Sequence, residues 1–439
     1  MARLRVGPVA EGPEESPHKA LQALAHQEGE AAKAAEGVPR SLAPYERQSG
    51  NWLSAYLEYT KDGESPDNYH VWAGLSALSS VVRRNVWIDQ GLYVLYPNLF
   101  VALVGPPART AKSTAIWLAR KILQQIPYVT FGPSACSREQ LIRKMAEVKF
   151  NNQCCLTIHS SEFSSILDVS GLLMIQFLTD IYDCAYVDKS GWTYETKNKG
   201  KDTIIQPYLS MLVGTTPAYI ATAMPDNIVG HGFTSRVIFV NEEVERQVVP
   251  RPGNLDGELE KSLVNDLKHI GNIYGQFRWD KSGEEAYDDF YRDLYRNIPT
   301  DHRLEGYHWR KKVHVLKVAM LLSLAENDSL VLTDREVLAA ARLLHSIEAK
   351  MARAFSAVGK YEHAIDIERI GNMIRNNPDG MSISDVFRRT YFIASEDELR
   401  KILNILCRMG IVRQQLVKGI EWFYPGKGGL PWAPEVQNG

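Results

Sequence analysis

The segment between Val104 and Thr114 has the residue types and spacing of a phosphate-binding loop. Its ten residues are Gly105, Pro106, Pro107, Ala108, Arg109, Thr110, Ala111, Lys112, Ser113 and Thr114. The apolar run Leu99–Val104 before it predicts a buried strand, and the pattern over Lys112–Ile126 predicts a helix. Backbone N–H groups at the start of such a helix attract phosphate oxygens. The sequence therefore predicts a P-loop that binds ATP.

Lys112 and Ser113 are the side chains that we expect to contact the bound nucleotide. Lys112 would neutralise the β- and γ-phosphates, and the Ser113 hydroxyl would ligate Mg²⁺. The loop departs from the usual P-loop pattern in two ways. Seven positions separate Gly105 from Lys112 instead of about six, and Ala111 stands where glycine is usual. A proline-rich turn without a nucleotide is the alternative interpretation.

Glu162 follows a predicted strand, Cys154–Ile158, and is the candidate base for hydrolysis. A carboxylate at this position could polarise the attacking water. Strands of this kind usually end in Asp-Glu in P-loop ATPases, but here Ser161 precedes the glutamate. We therefore expect Mg²⁺ to be held mainly by Ser113, phosphates and waters. A surface glutamate without a catalytic role is the alternative.

Two later strand ends carry further candidates. Thr215 and Thr216 follow the predicted strand Leu209–Gly214, where a hydroxyl could sense the γ-phosphate. Thr216 precedes a proline, so it could instead cap a helix. Arg236 stands directly before the predicted strand Val237–Asn241 and suits an arginine finger that acts in a neighbouring subunit. A structural ion pair is the alternative for Arg236. The basic residues 310–312 could supply a second cationic sensor.

A polar stretch between residues 187 and 205 predicts an inserted hairpin that could contact DNA. Its candidate DNA-binding residues are Trp192, Lys197, Lys199 and Lys201. Lysines can contact the phosphate backbone, and aromatic rings offer stacking surfaces without sequence preference. A solvated hairpin tip is the alternative.

The alternation of strands and helices predicts an α/β fold with a mainly parallel sheet. The predicted divisions are a disordered arm (1–45), a helical N-terminal segment (46–92), a P-loop ATPase core (93–255), a helical lid region (256–358), a winged-helix domain (359–428) and a tail (429–439). Three helices followed by a β-hairpin suggest the winged helix. Acidic residues at the start of its third helix weaken the case that this helix enters a DNA groove.

Composition excludes several other classes of protein. The 439 residues include 50 Lys and Arg against 52 Asp and Glu, so a strongly basic protein that wraps nucleic acid is excluded. Five cysteines without a CxxC pair argue against a disulfide scaffold and a structural zinc site. No apolar run reaches the roughly 18 residues of a membrane span, and the first residues lack the apolar core of a signal peptide. We expect a soluble, cytoplasmic protein.

In their order along the chain, these segments resemble a family of phage and prophage P-loop ATPases. The segments that carry the resemblance are Trp52 through Tyr96-Pro97-Asn98-Leu99, the loop Gly105–Thr114, Ser161–Phe163, Gly214–Pro217 and Gly232–Arg236. The resemblance covers about residues 50–345. Members are similar to hexameric replicative helicases of the AAA+ and superfamily 3 type, and some are fused to or encoded near primases.

The resemblance implies an ATP-driven helicase or translocase that acts as a ring on single-stranded DNA. It also implies a hexamer, a possible primase partner and a bacterial or phage-infected host cell. Two alternatives remain open from the residues. One is an ATP-dependent replication initiator or helicase loader with the same motifs. The other is a nucleotide- or DNA-binding module that does not hydrolyse ATP, which Ala111 and Ser161 keep open.

Overall fold

A computed structural model provides the fold of most of the chain. It describes residues 45–148, 152–167, 171–185, 191–196, 200–223, 232–299, 301–355, 364–391 and 395–426. Internal contacts divide the chain into two units, Met1–Glu46 and Arg47–Gly439, and the fold below is that of the second. Residues 1–44 of the predicted arm, and the whole predicted tail, lie outside the described residues. In the part of the chain that is described, no helix combines the length and apolarity needed to cross a membrane.

The strands of the described chain form two four-stranded sheets, one of them entirely parallel, a three-stranded sheet and a two-stranded hairpin. They are β1 (Val86–Asp89), β2 (Val94–Leu95), β3 (Phe100–Val104), β4 (Cys154–Ser160), β5 (Trp192–Thr196), β6 (Gly200–Ile204), β7 (Pro207–Thr215), β8 (Val237–Asn241), β9 (Gly275–Trp279), β10 (Val331–Leu332), β11 (Met381–Ser382), β12 (Val412–Val417) and β13 (Ile420–Pro425).

The helices surround the sheets and occupy most of the chain after β8. They are α1 (Trp52–Tyr59), α2 (Asp67–Val82), α3 (Lys112–Leu123), α4 (Arg138–Glu147), α5 (Ser164–Leu167), α6 (Gly171–Tyr182), α7 (Pro217–Ala223), α8 (Gly257–Ile270), α9 (Lys281–Arg296), α10 (Glu305–Glu326), α11 (Asp334–Ala354), α12 (Ala364–Arg375), α13 (Ile383–Thr390) and α14 (Glu396–Arg408). A short 3₁₀ turn, Thr234–Arg236, leads into β8.

The central sheet consists of four parallel strands in the order β4–β7–β3–β8. Every residue of the four strands is buried, which explains their nearly continuous apolar sequences. At one edge of the sheet, Val104 is paired with Thr215 and Asn241, and these residues mark the carboxyl ends. At the amino edge, Phe100 is paired with Met211 and Val237. The α/β class and the mainly parallel sheet are as predicted.

Two details of the strands differ from the prediction. The buried strand predicted over Leu99–Val104 is β3, which begins at Phe100, and the strand before it, β2, belongs to a different sheet. Pro97 lacks an N–H for a ladder, and the Asn98 side chain donates to the backbone of Tyr182 and Leu209, so pairing is interrupted there. Residues 256–358 are mostly helical, as predicted, but the short strands β9 and β10 also lie among them, and β9 pairs in parallel with β1.

One hydrophobic core joins the helices before the central sheet, the sheet itself and the long helices after it. Trp52 and Tyr56 of α1 are fully buried in it and stack at 5.4 Å between ring centroids. The Trp52 indole N–H donates to the carbonyl of Leu263 in α8 at 2.9 Å. The core therefore extends across the domain boundaries predicted after residues 92 and 255. These boundaries remain predictions from the sequence.

The C-terminal described residues have a separate hydrophobic cluster. Here α12, α13 and α14 accompany an antiparallel sheet of order β11–β13–β12. The β12–β13 turn has positive φ at Lys418 (52°) and Gly419 (79°), as the tight turn of a right-twisted hairpin requires. Three helices and a β-hairpin occur here in the predicted order, and β11 adds a strand that was not predicted.

Candidate nucleotide-binding and catalytic site

The loop of residues 105–111 leaves β3 at the carboxyl edge of the central sheet and enters α3. The Ala111 carbonyl accepts hydrogen bonds from the N–H groups of Thr114 (3.1 Å) and Ala115 (3.3 Å) and from the Ser65 hydroxyl (2.9 Å). These contacts fix the first turn of α3. The first N–H groups of any α-helix have no partner within the helix, so this turn can donate to phosphate oxygens.

Gly105 is required by close packing where β3 ends. A Cβ at this position would lie 2.6 Å from the Glu242 carbonyl oxygen, the Thr110 hydroxyl oxygen and the Tyr69 hydroxyl oxygen. The Tyr69 hydroxyl donates to the carbonyl of Val104, the last residue of β3. Contacts from α2 and from the end of β8 therefore determine the direction in which the loop leaves the sheet.

Ala111 occupies the left-handed backbone region, with φ 46° and ψ 40°. That conformation costs a non-glycine residue about 1–2 kcal/mol. We expect Ala111→Gly to raise the free energy of unfolding by about 0.5–1 kcal/mol, because relief of strain exceeds the added chain entropy of the unfolded state. Urea unfolding would measure the change. A loss of stability would show that the Ala111 methyl contributes packing that outweighs the strain.

Lys112 lies at the mouth of the loop with its ammonium against the loop backbone. Its Nζ donates to the carbonyls of Gly105 (2.8 Å) and Pro106 (2.9 Å). Partial burial lowers the pKa of Lys112, and the negative charge of Glu162 acts in the opposite direction. Glu162 is therefore near enough for its charge to act on this ammonium. Ser113 and Thr114, on the first turn of α3, are exposed.

The carboxyl end of β4 places Glu162 beside the end of β7. The Phe163 N–H donates to the Gly214 carbonyl at 2.7 Å, and a Cβ on Gly214 would lie 2.4 Å from the Ser161 carbonyl oxygen. The Ser160 hydroxyl accepts from the Glu162 N–H at 3.3 Å and donates to the Glu162 carbonyl at 3.0 Å. These contacts hold the Glu162 backbone at the strand end, and its side chain is exposed.

The two adjacent threonines at the end of β7 have different environments. Thr215 is 2% exposed, and its hydroxyl has no hydrogen-bond partner within the described chain. The Thr215 carbonyl accepts from the Gly105 N–H at 3.3 Å, which places this residue next to the loop. The Thr216 hydroxyl accepts from the Tyr219 N–H at 3.2 Å at the start of α7. Thr216 thus has the capping contact that was its alternative interpretation.

Arg236 lies at the amino edge of the central sheet, opposite the loop. It precedes Val237, which is paired with Phe100 at the start of β3, whereas the loop begins after Val104. Five strand residues correspond to roughly 16 Å. The Arg236 guanidinium donates to Asp183 and, at 2.6 Å, to the Gly232 carbonyl. Arg236 is therefore far from the loop of its own chain, and it has the ion pair of its alternative interpretation.

Residues 310–312 have three different sets of contacts. Arg310 donates to the other carboxylate oxygen of Asp183 at 3.1 Å. Lys311 forms an ion pair with Glu348 at 2.6 Å. The Lys312 ammonium lies 5.2 Å from the centroid of the Tyr291 ring. Of the three basic residues, Arg310 is the one that shares the Asp183 carboxylate with Arg236.

The predicted DNA hairpin is formed by β5 and β6. Trp192 is partly buried, with its ring edge-on to Phe177 at 4.9 Å between centroids and stacked on Tyr194 at 6.4 Å. The Tyr194 hydroxyl accepts from Arg138 at 3.0 Å. These rings therefore pack against protein groups. Lys201 is exposed, and the predicted residues Lys197 and Lys199 lie outside the described residues.

Sequence reasoning missed Glu242, a buried carboxylate at the carboxyl end of β8. It accepts from the Asn68 amide and from the Lys350 ammonium, each at 2.6 Å. The contacts join α2 and α11 to the sheet edge beside Gly105. A signal was available in the sequence, because Glu242 follows a buried strand in the same way as Glu162.

The described residues contain no group of three or more His, Cys, Asp and Glu side chains placed to hold a metal ion. His159, in the strand before Glu162, is buried, and burial lowers its pKa to about 3. Its imidazole is therefore neutral near pH 7. This leaves Glu162 as the candidate base of this strand end.

No protein-family model matches the chain, and the search of curated proteins found no match.

Proposed function

We propose that this protein is a P-loop ATPase that assembles into a ring and acts on single-stranded DNA as a helicase or translocase. The observation that carries the proposal is the position of Lys112. Lys112 is the first residue of α3, and its ammonium contacts the loop that joins the carboxyl end of the fully buried strand β3 to this helix. Strand, loop, lysine and helix are the parts that bind the phosphates of a nucleotide.

The residues around the loop fit a nucleoside triphosphate with Mg²⁺. Lys112 can leave the carbonyls of Gly105 and Pro106 and donate to phosphate oxygens, which compensate its charge better than neutral carbonyls do. The exposed hydroxyl of Ser113 can ligate Mg²⁺, with the remaining ligands from phosphates and waters. Bound Mg²⁺ would neutralise charge that develops on the phosphates.

Two residues at the carboxyl edge of the sheet, beside the loop, can assist hydrolysis. Glu162 can accept a hydrogen bond from the attacking water and orient it. Thr215 can supply a hydroxyl whose hydrogen-bonding capacity is unused in the described chain. A buried hydroxyl without a partner is costly unless a ligand supplies one, so Thr215 fits the sensor role better than Thr216.

The position of Arg236 supports an assembly in which subunits share active sites. Because it lies at the edge opposite its own loop, it can serve as an arginine finger only for a neighbouring copy. A contact between the loop edge of one copy and the Arg236 edge of the next is heterologous, and contacts of this type generate a ring when the rotation between copies closes. The hexamer and a primase partner come from the resemblance in sequence.

DNA contact is assigned to the β5–β6 hairpin. Lys201 is the exposed cation of the described hairpin, and Trp192 and Tyr194 hold the hairpin on the core. We interpret α12–α14 with their sheet as a winged helix that mainly contacts protein. Acidic residues occupy the first turn of α14, and Arg400 is paired with Glu396 and Glu421. The acidic first turn and the ion pairs of Arg400 disfavour a DNA contact made by the start of α14.

The sensor role of Thr215 leads to a prediction that separates catalysis from folding. We expect Thr215→Val to lower ATP turnover by about 10²-fold, because one polar contact to the reacting groups is lost. We expect the free energy of unfolding to stay constant or rise by up to about 1 kcal/mol, since an unpaired buried hydroxyl is removed. Phosphate release and urea unfolding measure the two effects.

Thr216→Ala is the matched variant for this comparison. Loss of its capping bond should cost about 1 kcal/mol of stability and leave turnover less affected than Thr215→Val does. Normal turnover in Thr215→Val would contradict the sensor role of Thr215.

The proposed function is tested by ATP hydrolysis with and without single-stranded DNA. We expect phosphate release that rises when DNA is added and disappears in Lys112→Ala. A strand-displacement assay on a duplex with a loading tail then distinguishes a helicase from an initiator or loader. Nucleotide binding without phosphate release under any DNA condition would replace the proposal with a non-hydrolysing binding module.

A further inference from the structure

Asp183 lies at the centre of a charged cluster at the amino edge of the central sheet. One carboxylate oxygen accepts from Arg236 and the other accepts from Arg310 at 3.1 Å. Both guanidinium groups lie near the Tyr182 ring, at 5.8 and 5.9 Å from its centroid. Two arginines from separate elements, the turn before β8 and the helix α10, thus share a single carboxylate.

The cluster holds more positive than negative charge. The Lys317 ammonium lies 3.9 Å from the centroid of the same Tyr182 ring, and its hydrogen bonds go to the neutral side chain and backbone of Asn98. The Arg236 Nε is buried and has no hydrogen-bond partner within the described chain. Three cations therefore face one carboxylate, and Asp183 does not satisfy Arg236 completely.

The cluster is accessible from one side. The Asp183 side chain is 40% exposed, whereas the side chains of Arg236 and Arg310 are 13% and 23% exposed. The carboxylate thus lies on the solvent side of the two guanidinium groups. An anion that approaches from solvent meets Asp183 first and can compete with it for both arginines.

We propose that Asp183 is a displaceable internal anion that holds Arg236 and Arg310 until the nucleotide of a neighbouring copy of this chain takes its place. The inference rests on the proposed function, since the competing anion is the terminal phosphate of ATP bound by a second copy. A phosphate carries more negative charge than a carboxylate and has three oxygens for the arginines. Asp183 therefore favours separate subunits and makes assembly depend on ATP.

The test is nucleotide-dependent assembly of Asp183→Asn, measured with the full-length chain. Sedimentation velocity in Mg²⁺ and the slowly hydrolysed analogue ATPγS gives the protein concentration of half-maximal assembly. We expect this concentration to fall about tenfold in Asp183→Asn. In the wild type, only the subunits whose arginines are released from Asp183 can bind a neighbouring copy, and this fraction lowers the apparent affinity between subunits. Asp183→Glu keeps the carboxylate and should resemble the wild type.

Two further variants check that the effect comes from this cluster. Asp180→Asn removes an exposed carboxylate near the end of α6, three residues before Asp183, and should not change assembly. In the double variant, Asp183→Asn with Arg236→Ala, the concentration of half-maximal assembly should no longer be lowered, because the guanidinium released from Asp183 is absent. If Asp183 had only a structural role, Asp183→Asn would not assemble at lower concentration, and the added Arg236→Ala would have no gain to reverse.

Unchanged or weaker assembly of folded Asp183→Asn would overturn the inference. Asp183→Ser is the second variant, and failure of both to fold would also overturn it, because a displaceable contact is not needed for folding. The proposed function is judged separately by hydrolysis in the wild type. If the wild type hydrolyses ATP and Arg236→Ala does not, but Asp183→Asn shows no shift, the role of Asp183 alone is rejected.

Discussion

Replacement of Arg236 by alanine should lower the turnover number for ATP by about 10³–10⁵-fold, the range known for arginine fingers. The reason is that a guanidinium supplied to the reacting phosphate stabilises charge that appears mainly in the transition state. Nucleotide affinity of separate subunits should change little, because Arg236 lies at the edge of the sheet opposite its own loop. Phosphate release and nucleotide titration measure the two quantities.

Subunit mixing tests whether Arg236 acts on a neighbouring copy. Arg236→Ala and Glu162→Gln should each be inactive alone. In an equal mixture, about one quarter of the ring interfaces pair an intact Glu162 with an intact Arg236 if subunits mix randomly, and activity should return to that extent. Absence of recovery would contradict a shared site. Arg143→Ala, at an exposed position of α4, is the control for loss of an arginine.

Replacement of Lys112 by alanine should reduce ATP turnover by about 10³-fold or more and weaken nucleotide binding. Lys112 provides positive charge at the point where the β- and γ-phosphates would lie, and loss of one preorganised donor costs about 10²–10³ in rate. Its charge also contributes to binding of the substrate, so both effects should appear together. Steady-state hydrolysis and titration with a fluorescent ATP analogue would measure them.

The fold should tolerate the loss of Lys112. The side chain is partly buried, and its hydrogen bonds go to neutral backbone carbonyls of Gly105 and Pro106, so its removal leaves no charged partner unpaired. We expect the free energy of unfolding to change by less than about 1 kcal/mol. Lys281→Ala, at an exposed lysine of α9, is the matched control and should have full activity. Turnover within twofold of wild type in Lys112→Ala would exclude the proposed nucleotide site.

The two mutations together separate the alternatives left open by the sequence. A motor or a loader requires both Lys112 and Arg236 for hydrolysis, and a strand-displacement assay distinguishes these two functions. A binding module without turnover would retain a Lys112-dependent affinity for nucleotide but would show no effect of Arg236. The pattern of losses therefore identifies the class of protein before any DNA substrate is chosen.

The sequence by itself determined the positions of the central strands and the loop. β3, β4, β7 and β8 have nearly continuous apolar sequences because both faces of a central parallel sheet are covered. Lys112 begins α3 as predicted, since local pattern specifies where a strand gives way to a helix. The position of Glu162 was also predicted from sequence, because a residue that follows a buried parallel strand lies at the carboxyl edge of the sheet. These features depend on neighbours in sequence.

Only the tertiary structure decided which groups meet across the fold. Thr215 and Thr216 are adjacent in sequence, yet strand pairing places the first beside Gly105 and the helix that follows uses the second as a cap. Asp183 is 53 residues from Arg236, and no local pattern joins them. Trp192, a candidate DNA contact from the sequence, packs edge-on against Phe177. Such contacts depend on strand order and helix packing, which local periodicity does not encode.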